Sequence, residues 1–145
     1  TRALLTVDTG PGYKNDQARE GWNANALRRA ERYEADGLGD LSKASAEVRL
    51  AHHRDASGLA RAARGMLTQR NARVIESLPG VAVPSLVVVG ADDTPFLAAS
   101  DYMAAKIPGA QKTVIPGAGH SANIDQPALF NAALLGFLKS ARLMA

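Results

Sequence analysis

The stretch Pro84-Ser85-Leu86-Val87-Val88-Val89-Gly90-Ala91-Asp92-Asp93-Thr94-Pro95 decides the fold. A proline opens it, an aliphatic run fills it, and a glycine, two aspartates and a second proline close it. A strand with one wet face alternates polar and apolar residues, whereas a run apolar on both faces belongs in the middle of a parallel sheet. Nothing from Gly90 to Pro95 favours continuing the strand, so the chain must turn there.

Working outward, Lys112-Thr113-Val114-Ile115 follows Pro108-Gly109 and stops at Pro116-Gly117-Ala118-Gly119, which predicts a second strand of similar length. Between the two, residues 97–107 have helical composition, with Leu97, Ala98, Tyr102 and Ala105 falling roughly on one face. Beyond the later strand, Leu129, Phe130, Ala133, Leu134, Phe137 and Leu138 recur at helical spacing, and Pro127 suits a helix start. Strand, helix, strand, helix implies a parallel sheet with right-handed crossovers and helices on its faces. Near the start of the chain, residues 3–7 are β-prone and end at Asp8-Thr9-Gly10-Pro11-Gly12, giving a third strand. The predicted class is α/β: a doubly wound, mainly parallel sheet, three strands of which lie in this chain, which the family resemblance given below makes the C-terminal part of the whole sheet.

No convincing strand falls in residues 14–78. Ala-, Arg- and Glu-rich stretches at about 15–36, 43–54 and 58–78 favour helix, and in the last of these Leu59, Ala63, Met66, Leu67, Val74, Ile75 and Leu78 form one apolar stripe. This helical insertion reads either as additional core or as a cap that excludes water from a pocket. The expected division is 1–13 as core strand and turn leading into the cap, 14–79 as the helical cap, and 80–145 as the C-terminal core.

Composition narrows the function classes. With 46% hydrophobic and 21% charged residues, the 145-residue chain is ordinary for a globular protein. No apolar run approaches the ~18 residues of a membrane span. With no cysteine there is no disulfide, thiolate nucleophile or Cys-ligated zinc, which suits a reducing, cytoplasmic setting. The net charge of +3 arises entirely in residues 14–76, which hold 12 Lys/Arg against 9 Asp/Glu. A basic helical face could bind nucleic acid, but interleaving of the kind seen in Arg28-Arg29-Ala30-Glu31-Arg32-Tyr33-Glu34 favours a solvated surface and no nucleic-acid or membrane partner. Residues 1–7 lack the features of a signal peptide and do not begin with methionine, so the chain reads as cut.

In an open parallel sheet, ligands bind beyond the carboxyl ends of the strands. Asp92-Asp93 follows one strand and His120 follows the next, so a carboxylate and an imidazole leave the same sheet edge. An imidazole can take a proton from a nucleophile while a carboxylate on its other nitrogen fixes the tautomer. The competing reading makes Asp93 a helix cap and His120 an ordinary loop residue. Ser121 neighbours His120 on a tight loop, where adjacent side chains usually point apart, which disfavours it as a local nucleophile. Consecutive His52 and His53 diverge on a helix, unlike a zinc-binding pair one turn apart, and read as surface residues. Trp22, Met66, Phe96 and Ile124 could line an apolar pocket, or simply pack.

The succession Pro84 to Pro95, then Ile115-Pro116-Gly117-Ala118-Gly119-His120, then Asp125-Gln126-Pro127 and the Phe130 helix resembles the end of α/β-hydrolases of the cap-bearing, ester- and lactone-cleaving type. The resemblance covers essentially the whole chain and is weakest in the helical block. It implies that the acid stands three residues after the strand-ending glycine, which selects Asp93 over Asp92, and that His120 is the catalytic histidine. A Gly-x-Ser-x-Gly elbow is absent, as is the His-Gly-Gly run that would supply an oxyanion donor. Serine, acid, histidine is the order in this fold, so the nucleophile is expected upstream of Thr1, in a missing N-terminal half. The expectation is a hydrolase of a small-molecule ester, lactone or related acyl bond, with no cofactor or metal and with this fragment alone inactive. Alternatives are an aspartate-nucleophile dehalogenase or epoxide hydrolase, a C–C hydrolase of the same fold, or a non-catalytic module that binds through its basic helices.

Overall fold

The computed structural model describes residues 1–39, 41 and 46–144. They form two compact units, one built from the sheet and its helices, the other from the helices between the first and second strands.

In the sheet unit, β1 (Leu4–Val7), β2 (Ser85–Gly90) and β3 (Gln111–Ile115) pair in that order, both pairs parallel. Every residue of β2 is buried while β1 is half-buried throughout, as the unbroken apolar run of β2 requires. Leu86, Val87, Val88 and Val89 are at most 1% exposed, and burial of each contributes about 1.5–3 kcal/mol. Leu86 and Val88 join Ile115, Ala118, Ala122 and Phe137 in one core cluster, with Leu5, Val7 and Phe130 packed against it. That face of the sheet carries α6 (Ala122–Asp125) and α7 (Pro127–Ser140), while strand alternation sends Val87 and Val89 to the opposite face, where α5 (Thr94–Lys106) packs.

The expected strands and flanking helices are present, with boundaries shifted by a few residues. The face assigned to α5 is corrected: Ala98 and Ala105 are exposed, and the buried stripe is Ser100, Met103 and the following Ile107. A small serine in the buried row and alanines in the exposed row blurred the apolar pattern.

The helical unit holds α1 (Asp16–Asp36), capped by Asn15, whose Oδ1 accepts from the Ala18 N–H. It also holds α3 (Ala56–Gly65), capped by Asp55, and most of the short α4 (Arg73–Ser77), while the division between the units falls within the short α2 (Ala46–Leu50). Ala30 on α1 and Ala60 and Ala63 on α3 pack together, with Tyr33 and Leu67 against them. Small residues let the two helices approach closely. Arg64 reaches Glu34 with two hydrogen bonds, 3.0 and 2.7 Å, and this pairing holds the Glu34 carboxyl below its ordinary range.

Two helix expectations need correction here. The stripe from Leu59 to Leu78 is not one helix, because the chain leaves helical geometry after Gly65, and Met66 and Val74 are 82% and 63% exposed. Side chains of α1 capture the intervening backbone. Trp22 Nε1 donates to the Leu67 carbonyl, and the Asn23 amide donates to the Gln69 carbonyl and accepts from its N–H. The stretch 43–54 is helical only over 46–50 among the described residues, with 43–45 lying outside them; His52 and His53 therefore sit in a connection, not on a helix.

Gly90 gives a direct test of the sheet's upper edge. A Cβ there would lie 2.2 Å from the Gly119 carbonyl oxygen and 2.3 Å from that of Ala118, both main-chain atoms that cannot swing aside. Gly90→Ala is expected to destabilise the chain by about 1–3 kcal/mol or more in urea unfolding. Gly21→Ala, in open space on α1, should instead stabilise it by roughly 0.5–1 kcal/mol. Equal stabilities for the parent and Gly90→Ala would mean that the loops do not cross here.

Candidate active site

Past their last residues, β2 and β3 keep pairing through their loops. The Ala91 N–H donates to the Ile115 carbonyl at 2.9 Å and the Asp92 N–H to the Ala118 carbonyl at 2.9 Å. Main-chain hydrogen bonds therefore hold the acid-bearing turn and the histidine-bearing turn side by side. Gly117, with φ of +67°, makes the sharp bend that the second turn requires, and Gln126 Nε2 donates to its carbonyl.

Asp93 and His120 meet at this edge. Asp93 Oδ2 lies 2.9 Å from His120 Nδ1, with the carboxylate side chain 5% exposed and the imidazole 39% exposed. An ionised carboxylate only accepts, so Nδ1 carries the hydrogen and Nε2 is left as the nitrogen for proton transfer. Asp93 stands at the N-cap position of α5, yet its side chain makes no cap hydrogen bond there. The helix-cap reading of that carboxylate fails on this geometry, since the oxygen faces the imidazole. Asp92 is exposed at the surface.

Two further contacts set the imidazole. The Phe96 ring lies against that of His120, with centroids 4.7 Å apart and planes inclined by 34°. Asp125 Oδ2 accepts from the Gly119 N–H at 2.9 Å, bracing the residue before the histidine. Sequence reading placed Phe96 in a generic pocket lining and gave Asp125 no task. Phe96 lies three residues after Asp93, one turn along α5, and that spacing was the available signal for a contact near the acid.

Other candidates lie elsewhere. Ser121 is buried at the N-cap of α6. His53 Nε2 lies 2.8 Å from the Val48 carbonyl oxygen, and among the described residues no group of three His, Asp or Glu is placed to hold a metal ion. Ile124 is 36% exposed. An open cavity of about 440 Å³ lined by Val83, Pro84, Pro108 and Phe137 lies at the start of β2 and β3, the end of the sheet opposite the Asp93–His120 pair. Ligands of open parallel sheets bind at the carboxyl end, so this hollow is not the candidate site.

A three-stranded parallel sheet with a carboxylate and an imidazole paired above its carboxyl edge defines an α/β enzyme fold of the hydrolase kind. Residues 2–133 match the model of the alpha/beta hydrolase family, and the chain belongs to that family. It is 31% identical over 140 residues to 3-oxoadipate enol-lactonase 1 of Acinetobacter baylyi, covering 83% of this chain and 50% of the relative. In structure it is similar to MenH from S. aureus, with a TM-score of 0.81 at 22% identity over 97% of this chain and 60% of that one. A thermophilic esterase from Thermogutta terrifontis gives a TM-score of 0.73 at 26% identity, covering 97% and 56%. The chain thus spans about half the length of the enol-lactonase.

Replacing Asp125 by Ala removes a charge-assisted brace on the histidine turn. Loss of about 1.4 kcal/mol locally corresponds to roughly tenfold faster hydrogen exchange at the Gly119 amide. Unchanged Gly119 exchange by NMR would show that the turn does not rely on this carboxylate.

Proposed function

We propose that the whole protein hydrolyses an ester, lactone or related acyl bond of a small molecule through a serine–aspartate–histidine triad, of which this chain supplies Asp93 and His120. The observation that carries this reading is the 2.9 Å contact between a buried carboxylate and the Nδ1 of a partly exposed imidazole at the carboxyl edge of the sheet. His120 Nε2 takes the proton of the attacking serine hydroxyl and returns it to the leaving group; Asp93 keeps the tautomer and stabilises the imidazolium that forms between the two transfers. The nucleophile and its oxyanion-hole donors lie in sequence upstream of Thr1, on a partner half of the same fold. Similarity to an enol-lactonase and to an esterase supports the acyl class of bond.

In this reading the helices between β1 and β2 make up a cap unit of the kind such enzymes carry. Among its arginines, Arg19 pairs with Asp16 and Arg64 with Glu34, which supports reading the basic face as a solvated surface. Among the described residues no helix is long and apolar enough to cross a membrane, and a cytoplasmic setting is part of the proposal.

The test compares chains with and without upstream sequence on p-nitrophenyl esters and simple lactones. Residues 1–145 alone should give no turnover. A chain extended through a Gly-x-Ser-x-Gly elbow should turn over, and His120→Ala in it should lower kcat on the order of 10⁴-fold or more. Esterase activity of the 145-residue chain by itself, or an extended chain indifferent to His120→Ala, would overturn the proposal.

A further inference from the structure

Among the described residues two acidic side chains are buried, Asp93 and Asp8. The proposed reaction uses the first and leaves the second without a task. Asp8 follows the last residue of β1 and is 5% exposed. Its backbone has φ of +46°, in the left-handed region that a residue with a side chain enters at a cost. A buried carboxylate in a strained backbone persists when its contacts compensate, and here they do. Oδ1 accepts from the Gly90 N–H at 2.7 Å and Oδ2 accepts from the Ala122 N–H at 2.7 Å. Charge-assisted bonds of this length are the strong kind.

The positions of these two donors matter more than their number. Gly90 ends β2 three residues before Asp93, and Ala122 opens α6 two residues after His120. One carboxylate thus grips the root of the acid-bearing turn with one oxygen and the far side of the histidine-bearing turn with the other. We infer that Asp8 is a positioning residue for the Asp93–His120 pair, setting the separation of the two turns so that Oδ2 of Asp93 meets Nδ1 of His120. The inference rests on the reading of that pair proposed above. Only a carboxylate fits the position, because each of its oxygens accepts; the amide of asparagine would turn a donor toward one of the two N–H groups.

NMR of the 145-residue chain tests this without any need for turnover. Couplings across the hydrogen bonds, from the amide nitrogens of Gly90 and Ala122 to the Asp8 carboxyl carbon, should be present in the parent; their absence overturns the inference before any variant is made. The parent should also show a low-field His120 Nδ1–H resonance at neutral pH, lost in Asp93→Asn. Asp8→Asn, which tolerates the left-handed backbone, and Asp8→Gly, which relieves it, should each lose or broaden that resonance while the amide shifts of residues 85–88 and of β3 stay in place and that of Gly90, which loses its acceptor, moves. A merely structural Asp8 predicts the opposite pattern, a lower Tm with the Nδ1–H resonance intact, and that result overturns the positioning role. If Asp93→Asn itself leaves the resonance untouched, the pair is not coupled and the underlying reading fails; a resonance retained only in the Asp8 variants defeats this inference alone.

Discussion

The pairing of main chain beyond the ends of β2 and β3 is the constraint on which the rest of the sheet unit depends. Strands stop where side chains cease to fit the pleat, yet here the loops continue to exchange hydrogen bonds, Ala91 to Ile115 and Asp92 to Ala118. Continuing the pairing brings backbone so close that no side chain can stand between, and Gly90 meets that demand with its missing Cβ. Once the two turns are in contact, a carboxylate three residues past Gly90 and an imidazole directly after Gly119 have few places to go except toward each other. The Asp93–His120 contact is thus a consequence of backbone geometry as well as of attraction between the two groups.

Three carboxylates at this edge divide the labour by what each one faces. Asp93 meets an imidazole, whereas Asp8 and Asp125 meet main-chain N–H groups. Only the first arrangement can pass the effect of a proton transfer from one side of a ring to the other; the other two fix where backbone lies. Loops at strand ends lack the ladder that holds strands, so their amides need other acceptors, and short acidic side chains supply them compactly.

The strand content was legible because its physical cause is local. A run apolar on both faces between Pro84 and Gly90 has no other stable setting, and proline–glycine clusters bound the strands on either side. The meeting of Asp93 with His120 was legible because motif and topology agreed. Asp8 was not, although its place in a turn was evident: its partners Gly90 and Ala122 are far away in sequence, and a single aspartate before Thr9-Gly10-Pro11 reads as an ordinary turn former. The helical block was the least legible part. Its composition favours helix throughout, and the break after Gly65 depends on Trp22 and Asn23, more than forty residues earlier in the chain, hydrogen-bonding the backbone of Leu67 and Gln69. Propensity is a property of a segment, while capture of its backbone by a distant side chain is a property of the fold.

The same contrast explains how the two units are stabilised. In the sheet unit four aliphatic side chains of a single strand are almost wholly removed from water, and the helices on its two faces gain by covering them. In the helical unit, among the described residues, α1 and α3 meet through alanines with one tyrosine and one leucine at the edge of the cluster, side chains most of which have little apolar surface to bury. Specific polar contacts therefore carry more of its organisation: the caps at Asn15 and Asp55, the twofold grip of Asn23 on Gln69, and the Arg64–Glu34 pair. An exposed ion pair contributes little, so the backbone contacts of Trp22 and Asn23 define the turn after α3 more firmly than the charges do. A unit held this way can change its surface residues freely as long as those few side chains remain, whereas the strand-end turns of the sheet unit admit almost no substitution at Gly90.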